Sequence, residues 1–167
     1  MMKTKIIGVM ASDPNGLIGS TTAQDLPWSY PEDTAFWQKL VKKQPLITGY
    51  DTFIKLPPHI FKENLIIVIS KHHQAKDSKH PFFTCVEDFL NSDVYKNHPH
   101  FYHLGGAKTM NYFLKNDFID EFYLTEINKV YAGDIFLNIK AFQNWPKTCI
   151  AQNADFKIMH YIKKTPA

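Results

Sequence analysis

The chain contains no arginine: all 19 of its basic residues are lysines. Proteins most often use arginine for two-point binding of carboxylates and phosphates, so any anion site here must use lysine, hydroxyl or backbone groups instead. There are only two cysteines, Cys85 and Cys149, at no metal-binding or redox spacing, which predicts reduced thiols in a cytoplasmic protein. No apolar run approaches the length of about 18 residues that a transmembrane helix needs.

Charge and histidine spacing exclude two further classes of site. The net charge of +3 is mild, and no basic patch with interleaved aromatic residues is present, so nucleic-acid binding is not predicted. His98 and His100 would share one face of a strand while His103 points away, which leaves too few converging ligands for a metal. With 167 residues, 44% of them hydrophobic, the chain is typical of one soluble domain spanning 1–167.

Apolar, β-branched segments alternate with helical segments along the chain. Strands are predicted at 5–11, 45–48, 65–69, 82–84, 101–104 and 121–127, with a closing hairpin at 149–152 and 156–162. Helices are predicted at 31–42, 50–56, 86–91 and 107–115, and a long loop at 12–30. This alternation predicts an α/β domain with a mostly parallel sheet and flanking helices.

One short acidic and aromatic segment is the strongest candidate for chemistry. Pro31 is well placed to open a helix, because the first helical N–H lacks a partner in any case. Asp33, Phe36 and Trp37 then stand at i, i+3 and i+4 on one helix face. A face that buries both aromatics would bury the carboxylate and raise its pKa, which suits proton transfer near neutral pH. On the local pattern alone, an exposed carboxylate in a first turn is favoured.

The segment from Leu26 to Phe36 resembles the active-site region of the dihydrofolate reductase family: Leu-Pro-Trp, two residues, Pro, one residue, Asp, then aromatic residues. The resemblance covers most of 5–165 and favours the catalytic interpretation of Asp33. It implies the bacterial chromosomal type of the fold, with about eight strands in a mixed, mostly parallel sheet. It also implies NADPH-dependent reduction of 7,8-dihydrofolate to 5,6,7,8-tetrahydrofolate by hydride transfer, antifolate binding and a monomer.

The same resemblance implies roles for the residues around Asp33. Asp33 would hydrogen-bond the pterin and promote protonation of its N5, Trp28 would order the nearby water, and Thr125 would orient the carboxylate. Thr125 faces inward if Leu124 faces outward, since strand side chains alternate. Backbone groups and apolar walls for the pterin and nicotinamide would come from Ile7, Val9, Phe36, Trp37 and Leu104, with Val9 touching the cofactor as well.

Two glycine-containing turns are candidate cofactor sites. Leu104-Gly105-Gly106-Ala107-Lys108 joins a strand to a helix, where paired glycines let backbone approach a ligand and a helix N-terminus offers N–H groups to an anion. Alone, such a pair is more typical of a tight turn. By resemblance, Gly105, Gly106, Ala107 and Lys108 hold the pyrophosphate, and Gly49 and Thr52 form a second phosphate-binding turn.

This chain lacks the arginine that usually binds the 2′-phosphate, the group that distinguishes NADPH from NADH. The family carries an arginine where this chain has Tyr50, followed by Asp51, an acidic type that elsewhere marks ribose hydroxyl recognition. Ser70 and Lys71 follow the next strand and are the predicted replacements. NADPH is therefore the predicted cofactor, and NADH stays open.

Three further positions bear on the loop and the substrate. Leu17-Ile18-Gly19 resembles the mobile loop that closes over the nicotinamide, which makes Ile18 and Gly19 predicted cofactor contacts. Lys62 replaces the arginine that clamps the folate tail if Asn64 aligns with the family and one residue is inserted after it. Without that insertion Glu63 takes the position and would repel the tail. Met110 stands where the family often has a tyrosine near the pterin.

Two other functions remain open at this point. One is a reductase on the same fold that acts on a pyrimidine ribosyl phosphate of riboflavin synthesis, for which Tyr50 and the missing arginines leave room. The other is a non-catalytic relative that binds folate or nucleotide. The Trp28 to Asp33 spacing favours a pterin over a pyrimidine, and the Asp33 and Thr125 pair argues against lost chemistry.

Overall fold

The structure is a computed structural model that describes residues 3–22 and 27–164, so Leu26 of the Leu-Pro-Trp pattern lies outside the described residues. The strands are β1 Lys5–Ser12, β2 Leu17–Gly19, β3 Leu46–Gly49, β4 Ile66–Ile69, β5 Phe82–Phe83, β6 His100–His103, β7 Glu121–Ile127, β8 Ile135–Phe136, β9 Lys147–Gln152 and β10 Phe156–Ile162. The helices are α1 Pro31–Leu40, α2 Tyr50–Phe53, α3 Pro58–Glu63, α4 Val86–Leu90, α5 Asp93–Lys96 and α6 Ala107–Lys115, with a 3-10 turn at Ile139–Ala141.

The main sheet has eight strands in the order β5-β4-β3-β6-β1-β7-β10-β9. Neighbouring strands from β5 to β7 are all parallel, and β10 runs antiparallel to both β7 and β9. The predicted mixed, mostly parallel α/β sheet with flanking helices is confirmed. A small antiparallel pair, β2 with β8, lies apart from the main sheet.

Both faces of the main sheet are covered, as parallel sheets require. One face carries the larger core, in which five phenylalanines are essentially inaccessible to solvent: Phe89, Phe101, Phe113, Phe122 and Phe142. The opposite face packs against α1 and α3 through a second apolar cluster that includes Leu46, Ile66 and Val68. Leu124 lies in the larger core, so the condition that it faces outward, on which the inward orientation of Thr125 was argued, is not met. Alternation still holds, because Thr125 is buried on the other face of the same strand.

Short elements account for the differences from the predicted pattern. The segment 12–30 was expected to be a loop throughout, but it contains β2, whose Leu17 pairs with Phe136 of β8. Helices α3 and α5 were also not predicted; α3 spans only six residues and begins at Pro58, a favourable first helical position. Among the described residues, no helix is long and apolar enough to cross a membrane.

Candidate active site

Asp33 and Thr125 meet across the space between α1 and the sheet. The carbonyl of Tyr30, the residue before α1, accepts hydrogen bonds from the N–H groups of Asp33 and Thr34, which fixes the first turn. The side chain of Asp33 is directed at the sheet, where the Thr125 hydroxyl donates to its Oδ1 at 2.5 Å. Thr125 is only 4% exposed and lies on β7 beside Ala11 of β1.

Burial controls the protonation of Asp33. Desolvation raises the pKa of its carboxyl group, and the hydrogen bond from Thr125 lowers it by a smaller amount. A carboxylate in the first turn of a helix is usually a solvated cap, whereas this one is half-buried and bonded to a strand. The arrangement holds a carboxyl group in a partly dry site with a raised pKa, which is the condition expected for a group that assists proton transfer.

The two aromatic residues of α1 pack into different clusters. Phe36 packs with Trp28, Ile127 of β7 and Ile158 of β10, and its ring centroid is 6.1 Å from that of Tyr123. Trp37 packs instead against the cluster around Leu46. The prediction that this face of α1 buries both rings is wrong in degree, because both are only half-buried and α1 has no fully buried residue. The helix therefore forms a partly open wall over the sheet.

Trp28 is held by Tyr131, a contact that the sequence did not reveal. Trp28 is 9% exposed, and its ring centroid lies 5.2 Å from that of Tyr131. The Tyr131 hydroxyl shares a 2.7 Å hydrogen bond with the hydroxyl of Tyr30. Its N–H donates to Oδ2 of Asp13 at 3.1 Å. Tyr131 thus joins the tryptophan to Tyr30, the residue before α1.

Asp13 is buried and organises the loop before β2. Its Oδ1 accepts hydrogen bonds from the N–H groups of Asn15 at 2.8 Å and Leu17 at 2.9 Å. An aspartate that bonds backbone two residues on is the usual signature of a turn, and Asp13-Pro14-Asn15-Gly16 carries that signal in the sequence. The third bond, in which the Tyr131 N–H donates to Oδ2, has no local signal because 118 residues separate the two.

The predicted loop contacts lie on β2. Ile18 is 8% exposed and packs with the larger core. The carbonyl of Gly19 accepts a hydrogen bond from the Asp134 N–H at 3.2 Å. Gly133 passes so close to this carbonyl that a Cβ there would collide with it, which explains why a glycine is needed.

The two glycine turns come together. The Gly49 N–H donates to the Gly105 carbonyl at 2.8 Å, and the peptide bond between Gly105 and Gly106 is cis. A Cβ on Gly49 would lie 2.9 Å from the Thr109 hydroxyl, and one on Gly106 would lie 3.4 Å from the Thr52 hydroxyl. The glycine backbone and the hydroxyls of Thr52 and Thr109 therefore line a shallow cradle, and side chains at the two glycine positions would narrow it. Such a cradle fits a pyrophosphate group.

The start of α6 faces this cradle. Gly106 is the residue that caps α6, and Ala107 and Lys108 form the first turn, where backbone N–H groups are free for an anion. Lys108 is exposed and adds a positive charge to the turn. The four predicted pyrophosphate residues are thus contiguous at one helix N-terminus.

Tyr50, Ser70 and His73 form a separate cluster at the ends of β3 and β4. The His73 ring stacks on that of Tyr50 with centroids 3.5 Å apart and planes 3° from parallel. The Ser70 hydroxyl accepts a hydrogen bond from the His73 N–H at 3.2 Å and shares another with its Nδ1 at 3.0 Å. Lys71 is exposed beside them. His73 was not among the predicted contacts. The only sequence feature that pointed to it was the consecutive pair His72-His73 shortly after a strand.

The predicted substrate residues fall into two groups. Ile7 and Val9 are buried on the face of β1 that also carries Ala11, the neighbour of Thr125. Leu104 is half-buried near Trp37.

The residues considered for the folate tail and the pterin helix lie elsewhere. Lys62 and Glu63 are both exposed at the end of α3, and the Lys62 carbonyl accepts a hydrogen bond from the Lys79 ammonium group. The neighbouring Asn64 is buried, and its amide group donates to the carbonyls of Val41 and Gln44, which ties α3 to the end of α1. Met110 is inaccessible to solvent in the larger core.

Comparisons with known proteins agree with this geometry. The sequence profile of the dihydrofolate reductase family matches residues 5–163. A dihydrofolate reductase from Mycoplasma pneumoniae is 27% identical over 159 residues, covering 93% of this chain and 96% of that protein. One from Bacillus subtilis is 26% identical over 164 residues, covering 93% of each.

The fold is shared with a solved structure. Dihydrofolate reductase from Enterococcus faecalis, solved in complex with NADP(H) and RAB-propyl, matches with a TM-score of 0.74 at 17% identity, over 98% of this chain and 99% of that one. The sequence profile, the relatives and the solved structure agree. The chain therefore belongs to the dihydrofolate reductase family, the NADPH-dependent oxidoreductases that reduce dihydrofolate to tetrahydrofolate.

Proposed function

We propose that this chain reduces 7,8-dihydrofolate to 5,6,7,8-tetrahydrofolate with NADPH, and that Asp33 promotes protonation of the pterin N5. The observation that carries the proposal is the hydrogen bond from Thr125 to a half-buried carboxyl group whose pKa is raised by burial. A pterin presents an amino group and a ring nitrogen side by side, and a carboxylate can accept from both. Asp33 therefore binds and orients the substrate in addition to promoting proton transfer to the pterin N5.

Thr125 and Trp28 act through Asp33. The Thr125 hydroxyl donates to Oδ1 and so holds the carboxylate in one orientation. That orientation also fixes the position of Oδ2. Trp28 is nearly buried against Tyr131. Its ring excludes bulk solvent from the carboxyl group and helps to order the water that remains there. Proton delivery to N5 through such a water then needs no large movement of the protein.

The cofactor-binding residues are proposed to be Gly49 and Thr52 on one turn and Gly105, Gly106, Ala107 and Lys108 on the other. When bound, NADPH supplies the hydride. The chain contributes backbone N–H groups and hydroxyls to the pyrophosphate, with Ile18 and Gly19 near the nicotinamide and Ser70 and Lys71 near the 2′-phosphate. A serine hydroxyl and a lysine point charge can bind that phosphate without arginine's two-point geometry.

The pterin and its tail are proposed to contact two sets of side chains. Ile7, Val9, Phe36, Trp37 and Leu104 form the walls around the ring, and Lys62 binds the tail carboxylate. Because lysine presents a single charge and Lys62 is exposed, this clamp is looser than an arginine clamp.

The proposal extends to the form of the protein. We take residues 1–167 as a single functional domain that acts as a monomer in the cytoplasm, where the free thiols Cys85 and Cys149 stay reduced. Size-exclusion chromatography with light scattering tests the monomer directly.

The decisive experiment follows the oxidation of reduced nicotinamide at 340 nm with dihydrofolate, in parallel with NADPH and NADH. Oxidation that requires dihydrofolate and is blocked by methotrexate supports the proposal, and the ratio of the two cofactor rates reports the 2′-phosphate site. A folded sample that binds methotrexate without turnover would instead indicate a non-catalytic binder. The pyrimidine reductase of riboflavin synthesis is not favoured, because the matching profile is that of dihydrofolate reductase.

A further inference from the structure

His103 is a buried histidine next to the glycine pair. It is the last residue of β6 and is inaccessible to solvent. Its ring lies edge to face with Phe113 of α6, with centroids 4.5 Å apart. It pairs with Gly8 and Ile47 on the neighbouring strands, so the backbone on both sides is fixed by the sheet.

One nitrogen of His103 bonds the glycine turn and the other has no partner among the described residues. The Gly105 N–H donates to Nδ1 at 3.0 Å, which requires the proton of the neutral ring to be on Nε2. The Nε2 atom is buried without a hydrogen bond to any described residue. A buried, unpaired donor destabilises the fold. An aliphatic side chain would fill the same space without burying an unpaired donor. What the imidazole adds is therefore the acceptor Nδ1, which binds the Gly105 N–H.

Gly105 is held from both sides by these contacts. Its N–H bonds His103, and its carbonyl accepts from the Gly49 N–H at 2.8 Å. Its φ angle is +102°, in the left-handed region that glycine adopts readily and other residues do not. With both of its polar groups engaged, Gly105 does not itself donate to an anion and instead sets the direction of the Gly106 N–H and the first turn of α6.

We infer that His103 is a positioning residue for the cofactor: its Nδ1 holds Gly105 so that the two glycine turns form one phosphate-binding cradle. The inference rests on the proposed cofactor site. It assigns no contact between His103 and the cofactor, because the imidazole is buried beneath the turn.

The test compares two substitutions that differ in the acceptor. His103→Asn keeps an oxygen close to the position of Nδ1, whereas His103→Leu has similar bulk and no acceptor. NADPH dissociation constants are measured without dihydrofolate by titration calorimetry, and methotrexate dissociation constants are measured without cofactor. We expect His103→Leu to weaken NADPH roughly tenfold, His103→Asn to weaken it by less than about threefold, and methotrexate affinity to stay unchanged in both.

Phe101→Leu is the matched control. Phe101 is a fully buried residue on the same strand and the same face, but it makes no hydrogen bond to the glycine turn through its side chain. This variant should lower the melting temperature and leave NADPH affinity unchanged. If His103→Leu does not fold, His103→Val provides the variant without an acceptor.

Three results would overturn the inference: wild-type NADPH affinity in a folded variant without the acceptor, equal weakening by His103→Asn and His103→Leu, or parallel losses of NADPH and methotrexate affinity. Turnover is measured separately on the wild-type chain. A wild type that binds NADPH but reduces no dihydrofolate would contradict the proposed function and leave the His103 comparison intact.

Discussion

The hydroxyl of Thr125 donates to the carboxylate of Asp33 at 2.5 Å although 92 residues separate them. One residue belongs to a central strand and the other to the first turn of the helix that covers it. The sheet thus sets the orientation of the carboxyl group, and the partly buried space between helix and strand sets its proton affinity.

Asp33→Asn should lower kcat by about 10²–10⁴ and leave the fold intact, because the amide fills the same space but cannot assist proton transfer in the same way. The assay at 340 nm measures turnover, and circular dichroism with NADPH binding provides the control. Wild-type turnover at neutral pH would remove Asp33 from the mechanism.

Thr125→Val should shift the pH profile of kcat/KM. The Thr125 hydroxyl lowers the pKa of Asp33 and burial raises it, so removing the hydroxyl should move the limb that reports Asp33 to higher pH. Thr125→Ser keeps the donor and is the matched control. An unchanged limb in the valine variant would mean that the profile reports another group.

Lys71→Gln should weaken NADPH and leave NADH unchanged. An exposed lysine facing a phosphate contributes up to about 1 kcal/mol, or roughly fivefold in KM, and the effect should fade at high salt. Lys76→Gln removes another exposed lysine from the same segment and should have no effect. If both variants weaken NADPH alike, overall charge explains the preference for NADPH over NADH, and Lys71 has no specific role.

Two buried histidines should make the protein less stable in acid. Burial lowers the pKa of His103 to about 3, and burial also lowers the pKa of His80, whose Nδ1 accepts from the Ile66 N–H. The unfolded chain binds these protons near the ordinary value of 6.5, so stability is complete above that pH and is lost as the pH falls towards the folded values.

Between pH 7 and pH 5.5, His103 alone should remove about 1 kcal/mol from the free energy of unfolding. Denaturant titrations at the two pH values measure the difference. His103→Leu carries no titrating group and should lose less stability over the same interval. An equal loss in both proteins would assign the acid sensitivity to other groups.

Local patterns predicted most of the regular structure. The apolar segment 65–69 and the helix at 107–115 were recognisable because periodicity and burial agree there. The short strand β2 was missed because its partner β8 follows more than a hundred residues later, and three residues carry no period of their own. Both Leu124 and Thr125 are buried, because alternation gives the relative orientation of neighbouring side chains but does not show whether both faces of the sheet are covered.

The candidate site was only partly visible in the sequence. Asp33 and the glycine pair stood in recognisable patterns, and the structure brings Asp33 to Thr125 and Gly49 to Gly105. Tyr131 and His103 carried no local sign of their contacts. Their roles depend on which strands and loops become neighbours, and that is a property of the folded chain.

The carboxylate of Asp13 binds backbone groups from two segments that are far apart in the sequence: Asn15 and Leu17 in the turn that leads into β2, and Tyr131 after β7. Any displacement of the first segment must carry the second along or break the bond at Oδ2. Because Tyr131 is also hydrogen-bonded to Tyr30, such a displacement reaches the residue before α1. Opening at one edge of the site is therefore mechanically linked to the helix that presents Asp33.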